Sequence, residues 1–286
     1  MKYTLLLAPV LFVAACKNST TQPASKKNEP VKVLGKSIVI PVVKYGFEGF
    51  YTGAFKPEQF KNEASALSNK ITICIDSLTD DRIFGHTIVA GNARPFTGSW
   101  KKTDDSVTVS VQEPGDDKYD GRFQFVLNNR LHSLRGTWKS LRDDINVTEG
   151  SYELQQKSFR YDPYLALPQE ITQEYLYDNK SDNSDKAEPV SEAVLKINPS
   201  VALLKAGDVE NMYKADLEVL RNSIYARHGY SFKNPRMRYL FDTDVDWYIP
   251  LATDVTSALT EIEKKNIALI KRYEVHAEKY YEEFGR

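Results

Sequence analysis

Between residues 46 and 154, apolar and polar positions alternate along the chain. Val107, Val109 and Val111, for example, are separated by single polar residues. Successive side chains of a strand point to opposite faces, so this alternation predicts strands with one buried and one exposed face, as in antiparallel sheets. Turn residues divide the region into eight runs, which span 46–55, 70–76, 82–90, 95–101, 106–112, 121–127, 132–139 and 147–154. Their even spacing predicts an antiparallel meander.

Similar glycine-centred strings recur in three of these runs. Tyr-Thr-Gly-Ala-Phe contains Gly53, Phe-Thr-Gly-Ser-Trp contains Gly98, and Leu-Arg-Gly-Thr-Trp contains Gly136. Glycine on the inward face of a strand allows tight bending, and eight strands suit a closed barrel. The spacing of the strands and of the glycines resembles that of small lipocalin-like and avidin-like barrels. A two-sheet sandwich is the alternative fold.

The apolar spacing changes to three and four residues in the C-terminal part of the chain, which predicts helices. Leu217, Leu220 and Ile224 mark one face of a first helix, with Asp216 as a candidate N-cap and Gly229 just past the C-terminus.

A short second helix is predicted at 235–241. A third begins at Thr260 and Glu263, which form a capping-box pattern. The fold class predicted for the chain is therefore an antiparallel β meander, favoured as an eight-stranded barrel, followed by a small all-α domain.

The N-terminal sequence is typical of an export signal. Lys2 precedes the apolar run Leu5–Val13, and Ala14 and Ala15 then precede Cys16. The segment resembles a bacterial lipobox, and this resemblance implies that Cys16 becomes the first residue of the mature protein and carries lipid. An ordinary cleaved signal with an incidental cysteine is the alternative.

The residues after Cys16 indicate the membrane in which a lipid-anchored protein would be placed. Lys17 rather than an aspartate follows the cysteine, and Glu29 is the first acidic residue. By resemblance to Gram-negative lipoproteins, this implies the outer membrane and favours its periplasmic face, with surface exposure left open.

The chain divides into five predicted segments. Residues 1–15 form the signal peptide, 16–44 a lipidated polar tether, 45–156 the β domain, 157–204 a linker and 205–286 the helical domain.

The amino-acid composition of the chain excludes several classes of function. The chain has 286 residues, of which 41% are apolar, and a formal net charge of -1, so it can build cores but lacks the basic excess of a nucleic-acid-binding protein. Its two cysteines are too few for a disulfide scaffold or a four-thiolate zinc site. Cys74 lies among isoleucines in a predicted strand, where we expect it to be buried.

The most specific string runs from Ile224 to Phe232 and reads Ile-Tyr-Ala-Arg-His-Gly-Tyr-Ser-Phe. Together with the flanking stretches 217–222, 247–250 and 259–267, it resembles the YARHG domain of bacterial envelope proteins over about residues 205–275. The resemblance implies an extracytoplasmic location and a small helical module, but no established reaction.

Two interpretations of this motif stay open. In the structural one, Gly229 takes a left-handed conformation, Arg227 and His228 face the negative end of the helix, and Phe232 folds back on it. In the functional one, Arg227 and His228, together with Tyr225, bind an anion or a peptidoglycan ligand.

Asn222 and Asn266 lie on otherwise apolar helices. Their side chains are predicted to bind backbone carbonyls of neighbouring segments, which would make them part of the structural motif.

A second candidate site lies in the β domain. His86 shares its strand phase with Phe84 and Ile88, and His132 shares its phase with Leu134. This phase predicts that both histidines point into the barrel or its mouth, near Arg94, where they would orient a small ligand. The alternative is that each histidine is bound locally.

Metal and cofactor sites are not predicted. Asp242, Asp244 and Asp246 imitate the opening of a calcium loop, but Trp247 and Thr253 occupy the positions where glycine and glutamate are required. The four histidines are spread over two domains, and the chain contains no phosphate-binding loop or hydrolase motif.

These features support three hypotheses. The first is a non-catalytic envelope lipoprotein that binds or scaffolds, with the membrane, another envelope protein or peptidoglycan as partner and no nucleic acid. The second is a carrier of a small ligand in the barrel. The third is a peptidoglycan-directed enzyme that uses Arg227 and His228.

Overall fold

The computed structural model describes residues 46–62, 69–103, 106–169, 171 and 190–280. The predicted signal peptide, the lipidation residue Cys16 and the polar tether lie outside the described residues, as do residues 172–189 of the predicted linker.

The N-terminal domain is a closed barrel in which each strand pairs antiparallel with the next and β1 pairs with β8. Its strands are β1 Gly49–Phe60, β2 Asn69–Leu78, β3 Arg82–Val89, β4 Asn92–Lys102, β5 Ser106–Gln112, β6 Gly121–Asn128, β7 Ser133–Ser140 and β8 Val147–Lys157. The predicted eight-stranded barrel is confirmed, and the sandwich alternative was wrong.

The barrel interior follows the predicted alternation. Val107, Val109 and Val111 are buried in one apolar cluster with residues of the other strands. Gly98 pairs with Ile83 of that cluster, and a Cβ atom on Gly98 would lie only 2.0 Å from the Ser110 carbonyl oxygen. Glycine is required there because neighbouring backbones approach too closely for a side chain.

The C-terminal region is helical. Its elements are α1 Glu192–Lys196, α2 Ala206–Val209, α3 Lys214–Arg227, α4 Pro235–Asp244, a 3-10 helix Thr256–Ala258 and α5 Glu261–Tyr280. The capping box of α5 is present: the Glu263 carboxylate accepts from the Thr260 backbone N–H at 2.9 Å, and Thr260 Oγ1 accepts from the Glu263 N–H at 3.2 Å.

The predicted start of α3 was wrong. Tyr213 is the N-cap, and Asp216 lies inside the first turn. The Asp216 carboxylate is buried and accepts a hydrogen bond from the Ser191 backbone N–H at 3.1 Å. It therefore ties a distant segment to the helix instead of capping it.

The stretch predicted as a linker, 157–204, is packed in its described part. Leu167, Ile171 and Val194 lie in the same buried cluster as the apolar residues of α3 and α4. This part of the chain therefore belongs to the helical core. Its prolines and polar residues, which suggested a linker, do not prevent its apolar residues from packing there.

The helical region packs on the outer wall of the barrel. The Lys70 backbone N–H donates to Asp242 at 2.8 Å, and Leu251 packs against Cys74 and Ile88. Cys74 is fully buried as expected, and burial raises the pKa of its thiol well above the usual value. Among the described residues, no helix has the length and apolar character needed to cross a membrane.

Candidate functional site

Helix α3 ends in a turn that satisfies its last carbonyls. Gly229 has a φ of +73°, the left-handed conformation that glycine adopts most readily. The Tyr230 N–H donates to the Tyr225 carbonyl at 3.0 Å, and the Gly229 N–H donates to the Ala226 carbonyl at 2.9 Å. This pair of bonds is a Schellman motif.

The far side of the turn is bonded to the chain around Ala252. The Gly229 carbonyl accepts from the backbone N–H groups of Leu251 and Ala252 at 2.8 and 3.0 Å. The Ser231 N–H donates to the Ala252 carbonyl at 2.7 Å. The turn therefore fixes α3 against the segment that covers the barrel wall.

His228 forms a buried pair with Glu263 of α5. The two side chains meet at 2.8 Å between His228 Nε2 and Glu263 Oε2, and they are 4% and 0% exposed. The Tyr161 ring stacks on the imidazole with 4.2 Å between centroids, and its hydroxyl donates to the other Glu263 oxygen at 2.9 Å. The low exposure of both side chains shows that solvent is largely excluded from the pair.

Several hydrogen bonds stabilise the charge of the buried Glu263 carboxylate. Burial raises its pKa, but hydrogen bonds from His228 and the Thr260 backbone outweigh burial and hold the pKa at about 2. This carboxylate is ionised at neutral pH and clamps α3 to α5.

Arg227 is also inside the protein. Its Nε donates to the Leu165 carbonyl at 2.9 Å and one terminal nitrogen donates to Ser223 Oγ at 2.8 Å. Burial lowers the pKa of the guanidinium to about 10, partly offset by Glu263. The side chain is 2% exposed and is bound within the domain instead of being presented to a ligand.

A cavity of about 350 Å³ opens at one end of the barrel. Its wall is mainly apolar and includes Phe55, Ile71, Val89, Phe123, Trp138 and Ile145. A few polar side chains join them, among which are Thr87, Arg94 and Glu113 from the barrel and Arg238 from α4. Small-molecule sites combine such an apolar wall with a few placed polar groups, at volumes of about 300–1,000 Å³.

Glu113 is the acidic side chain of this wall and is 3% exposed. One oxygen accepts from Thr87 Oγ1 and the other from the Gly121 N–H, both at 2.8 Å. Burial raises its pKa to about 7, because these bonds and the nearby Arg94 only partly offset desolvation.

A family comparison identifies the helical part. Residues 200–275 match the model of the YARHG domain. The chain carries a YARHG domain.

No curated protein matches the chain. A solved structure described as a redesigned beta barrel is similar at 12% identity, over 40% of this chain and 93% of that chain, with a TM-score of 0.28.

Within the YARHG domain, the motif residues Phe232 and Asn266 are both buried. Phe232 is buried and stacks on Phe241 with 4.8 Å between centroids. The Asn266 side chain donates to the Pro199 and Ala202 carbonyls, both at 2.7 Å, as predicted for a bond to a neighbouring segment.

The prediction for Asn222 was wrong, because its side chain donates to the Glu218 carbonyl of its own helix at 2.9 Å. Tyr225 is half-buried and lines a polar surface groove. Arg221 in that groove is already paired with Glu274 at 2.7 Å.

The interpretation in which both barrel histidines point into the barrel was wrong, and the alternative, in which each is bound locally, is confirmed by contacts of His86 with Asp76 and of His132 with Gln156. His86 lies on the outer wall, where its Nδ1 contacts Asp76 at 2.8 Å and Cys74 is its strand partner. His132 is exposed in the β6–β7 turn with a φ of +47°. The structure brings only Arg94 to the cavity, where it pairs with Asp117 and Asp120, both at 3.4 Å.

Glu113 and Arg238 are the cavity residues that the sequence interpretation missed. The phase of Val107, Val109 and Val111 continues to Glu113 and was a usable signal. Within the described part of the chain, no three His, Cys, Asp or Glu side chains are grouped so that they could hold a metal ion.

Proposed function

We propose that this protein is a non-catalytic binding protein of the bacterial cell envelope, and that its barrel mouth binds a small molecule with an apolar body. A YARHG domain beside a β-barrel fits an envelope-associated module. The observation that carries the proposal is the cavity of about 350 Å³, with an apolar wall and a few buried polar groups.

The burial of the YARHG turn supports a non-catalytic role. A catalytic histidine and carboxylate must be within reach of a substrate. His228 and Glu263 are at hydrogen-bond distance, but the Tyr161 ring and the helical core cover them. Their arrangement suits a structural clamp better than an acid–base pair.

We further propose that lipid on Cys16 anchors the protein to the outer membrane, on its periplasmic face. The lipobox-like sequence at Val13–Cys16 supports a lipid anchor on Cys16. Lys17 in place of an aspartate supports the outer membrane as the site of the protein. Cys16→Ser is expected to move the protein from the membrane fraction to the soluble fraction, with loss of the lipid mass. Membrane fractionation of that variant identical to wild type would contradict the anchor.

The binding proposal is tested with the neutral fluorescent probe N-phenylnaphthylamine and the full chain without its signal. Val89→Trp fills the cavity, because Val89 lies in its wall. Val126→Trp adds the same side chain on the exposed face of β6, where Val126 is 43% exposed. We expect wild type and Val126→Trp to bind the probe equally and Val89→Trp to lose binding, with unfolding curves as the check on folding.

Absence of saturable probe binding by wild type would overturn the proposal. A scaffolding role toward another envelope protein or peptidoglycan would then be the better interpretation.

A further inference from the structure

Helix α4 of the YARHG domain contributes a cation to the barrel cavity. Arg238 lies in the cavity wall together with Arg94, and Asp242 follows it one turn later on the same helix. Asp242 Oδ2 accepts from the Lys70 backbone N–H at 2.8 Å, which fixes this face of α4 against β2.

The two arginines of the cavity differ in their ion pairs. Arg94 lies 3.4 Å from both Asp117 and Asp120. Arg238 has the acidic neighbour Asp242 one turn along α4, but it forms no ion pair with this or any other residue that the structure describes, and its buried Nε has no hydrogen-bond partner among them. One terminal nitrogen reaches the Lys233 carbonyl only at 3.5 Å.

A buried guanidinium nitrogen without an acceptor costs free energy unless a ligand supplies one. Guanidinium groups bind carboxylates through paired, charge-assisted hydrogen bonds. The acid in the same wall does not provide this partner: Glu113 is bound to Thr87 and the Gly121 N–H, and the Arg238 Nε has no acceptor among the described residues.

We propose that the cavity takes an amphipathic carboxylate, whose apolar chain lies against Phe123 and Trp138 and whose carboxylate accepts hydrogen bonds from Arg238. This inference rests on the proposed function and names its ligand class. It also assigns the YARHG domain a place in binding: the barrel holds the chain of the ligand, and α4 holds the head group.

The test compares decanoate with decanol, which have the same chain and differ in charge. Each compound is titrated against N-phenylnaphthylamine bound to the full chain, at concentrations below that at which decanoate forms micelles. We expect half-displacement by decanoate at about tenfold lower concentration than by decanol, as one charge-assisted hydrogen bond allows. Arg238→Gln should abolish this difference and leave the affinity for decanol unchanged.

Arg236→Gln is the matched control, because Arg236 lies on the same helix and pairs with Glu218 at 3.2 Å. It should keep the preference for decanoate. Equal displacement by both compounds in wild type, or a preference that survives in Arg238→Gln, would overturn this inference while leaving the barrel as a binding site. A wild-type protein that fails to bind the probe would instead remove the proposed function itself.

Discussion

Two buried glutamates define the difference between the YARHG turn and the barrel mouth. Glu263 is bound by His228, Tyr161 and the Thr260 backbone, and its pKa is held at about 2. Glu113 is equally buried and accepts two hydrogen bonds, but its pKa is raised to about 7 by burial. Desolvation is the largest single influence on both pKa values; the combined hydrogen bonds outweigh it at Glu263 and do not at Glu113.

The difference separates a structural polar cluster from a binding site. At the YARHG turn, the charged groups are satisfied by the protein itself and fix three segments together. At the barrel mouth, polar groups stand beside open volume, so a ligand can complete the interactions that the protein leaves incomplete.

The largest effect is expected at His228. His228→Ala leaves the Glu263 carboxylate buried without its partner, which typically costs about 3–5 kcal/mol. Chemical unfolding of the full chain measures the loss. His276→Ala is the control, since His276 lies on the exposed side of α5 and its loss should cost no more than about 0.5 kcal/mol. A loss at His228 as small as that at His276 would show that the His228–Glu263 pair is not a clamp.

The two glutamates are expected to give opposite pH responses. The folded pKa of Glu263 lies below its usual 4.5, so its contribution is present above that pH and is lost as pH falls toward 2. The folded pKa of Glu113 lies above 4.5, so the free energy of unfolding falls as pH rises toward 7. Each effect is about 3 kcal/mol, at about 1.4 kcal/mol for each pKa unit.

Urea unfolding over this pH range, with Glu263→Gln and Glu113→Gln as references, separates the two contributions. The advantage of wild type over Glu263→Gln should shrink toward acid, and its advantage over Glu113→Gln should shrink toward neutrality. Parallel pH profiles for the two variants would show that the two environments do not differ.

A smaller effect is expected at Gly229. Gly229→Val forces a β-branched residue into a φ of +73°, at a cost of about 1–3 kcal/mol. Gly207→Val is the matched control, because a Cβ atom at Gly207 meets nothing within 4 Å. Thermal unfolding compares the two variants, and equal stability would show that the turn tolerates a side chain.

The strands of the barrel were predictable because one face of each is buried and the other is exposed. The same rule misplaced His86, since both faces of β3 carry buried residues. Ile83 faces the barrel core, while Ile88 on the opposite face is covered by Leu251 of the YARHG domain. Alternation cannot choose a face when a second domain buries the outer one.

The candidate site was less predictable than the fold. Glu113 continues a visible strand phase, so its inward position follows from the pattern. Arg238 belongs to another domain and reaches the cavity through the packing of α4 on β2, to which the bond between Asp242 and the Lys70 N–H contributes. Such a meeting of distant residues has no local signature in the chain.

We expect ligands to bind at the barrel mouth and not at the YARHG turn. Titration of N-phenylnaphthylamine into isotope-labelled protein, followed by backbone amide NMR shifts, distinguishes the two sites. Binding at the mouth should shift the amides of Thr87, Val89 and Glu113 and leave those of His228 and Gly229 unchanged. Shifts centred on the YARHG turn, with the cavity residues unmoved, would contradict binding at the barrel mouth.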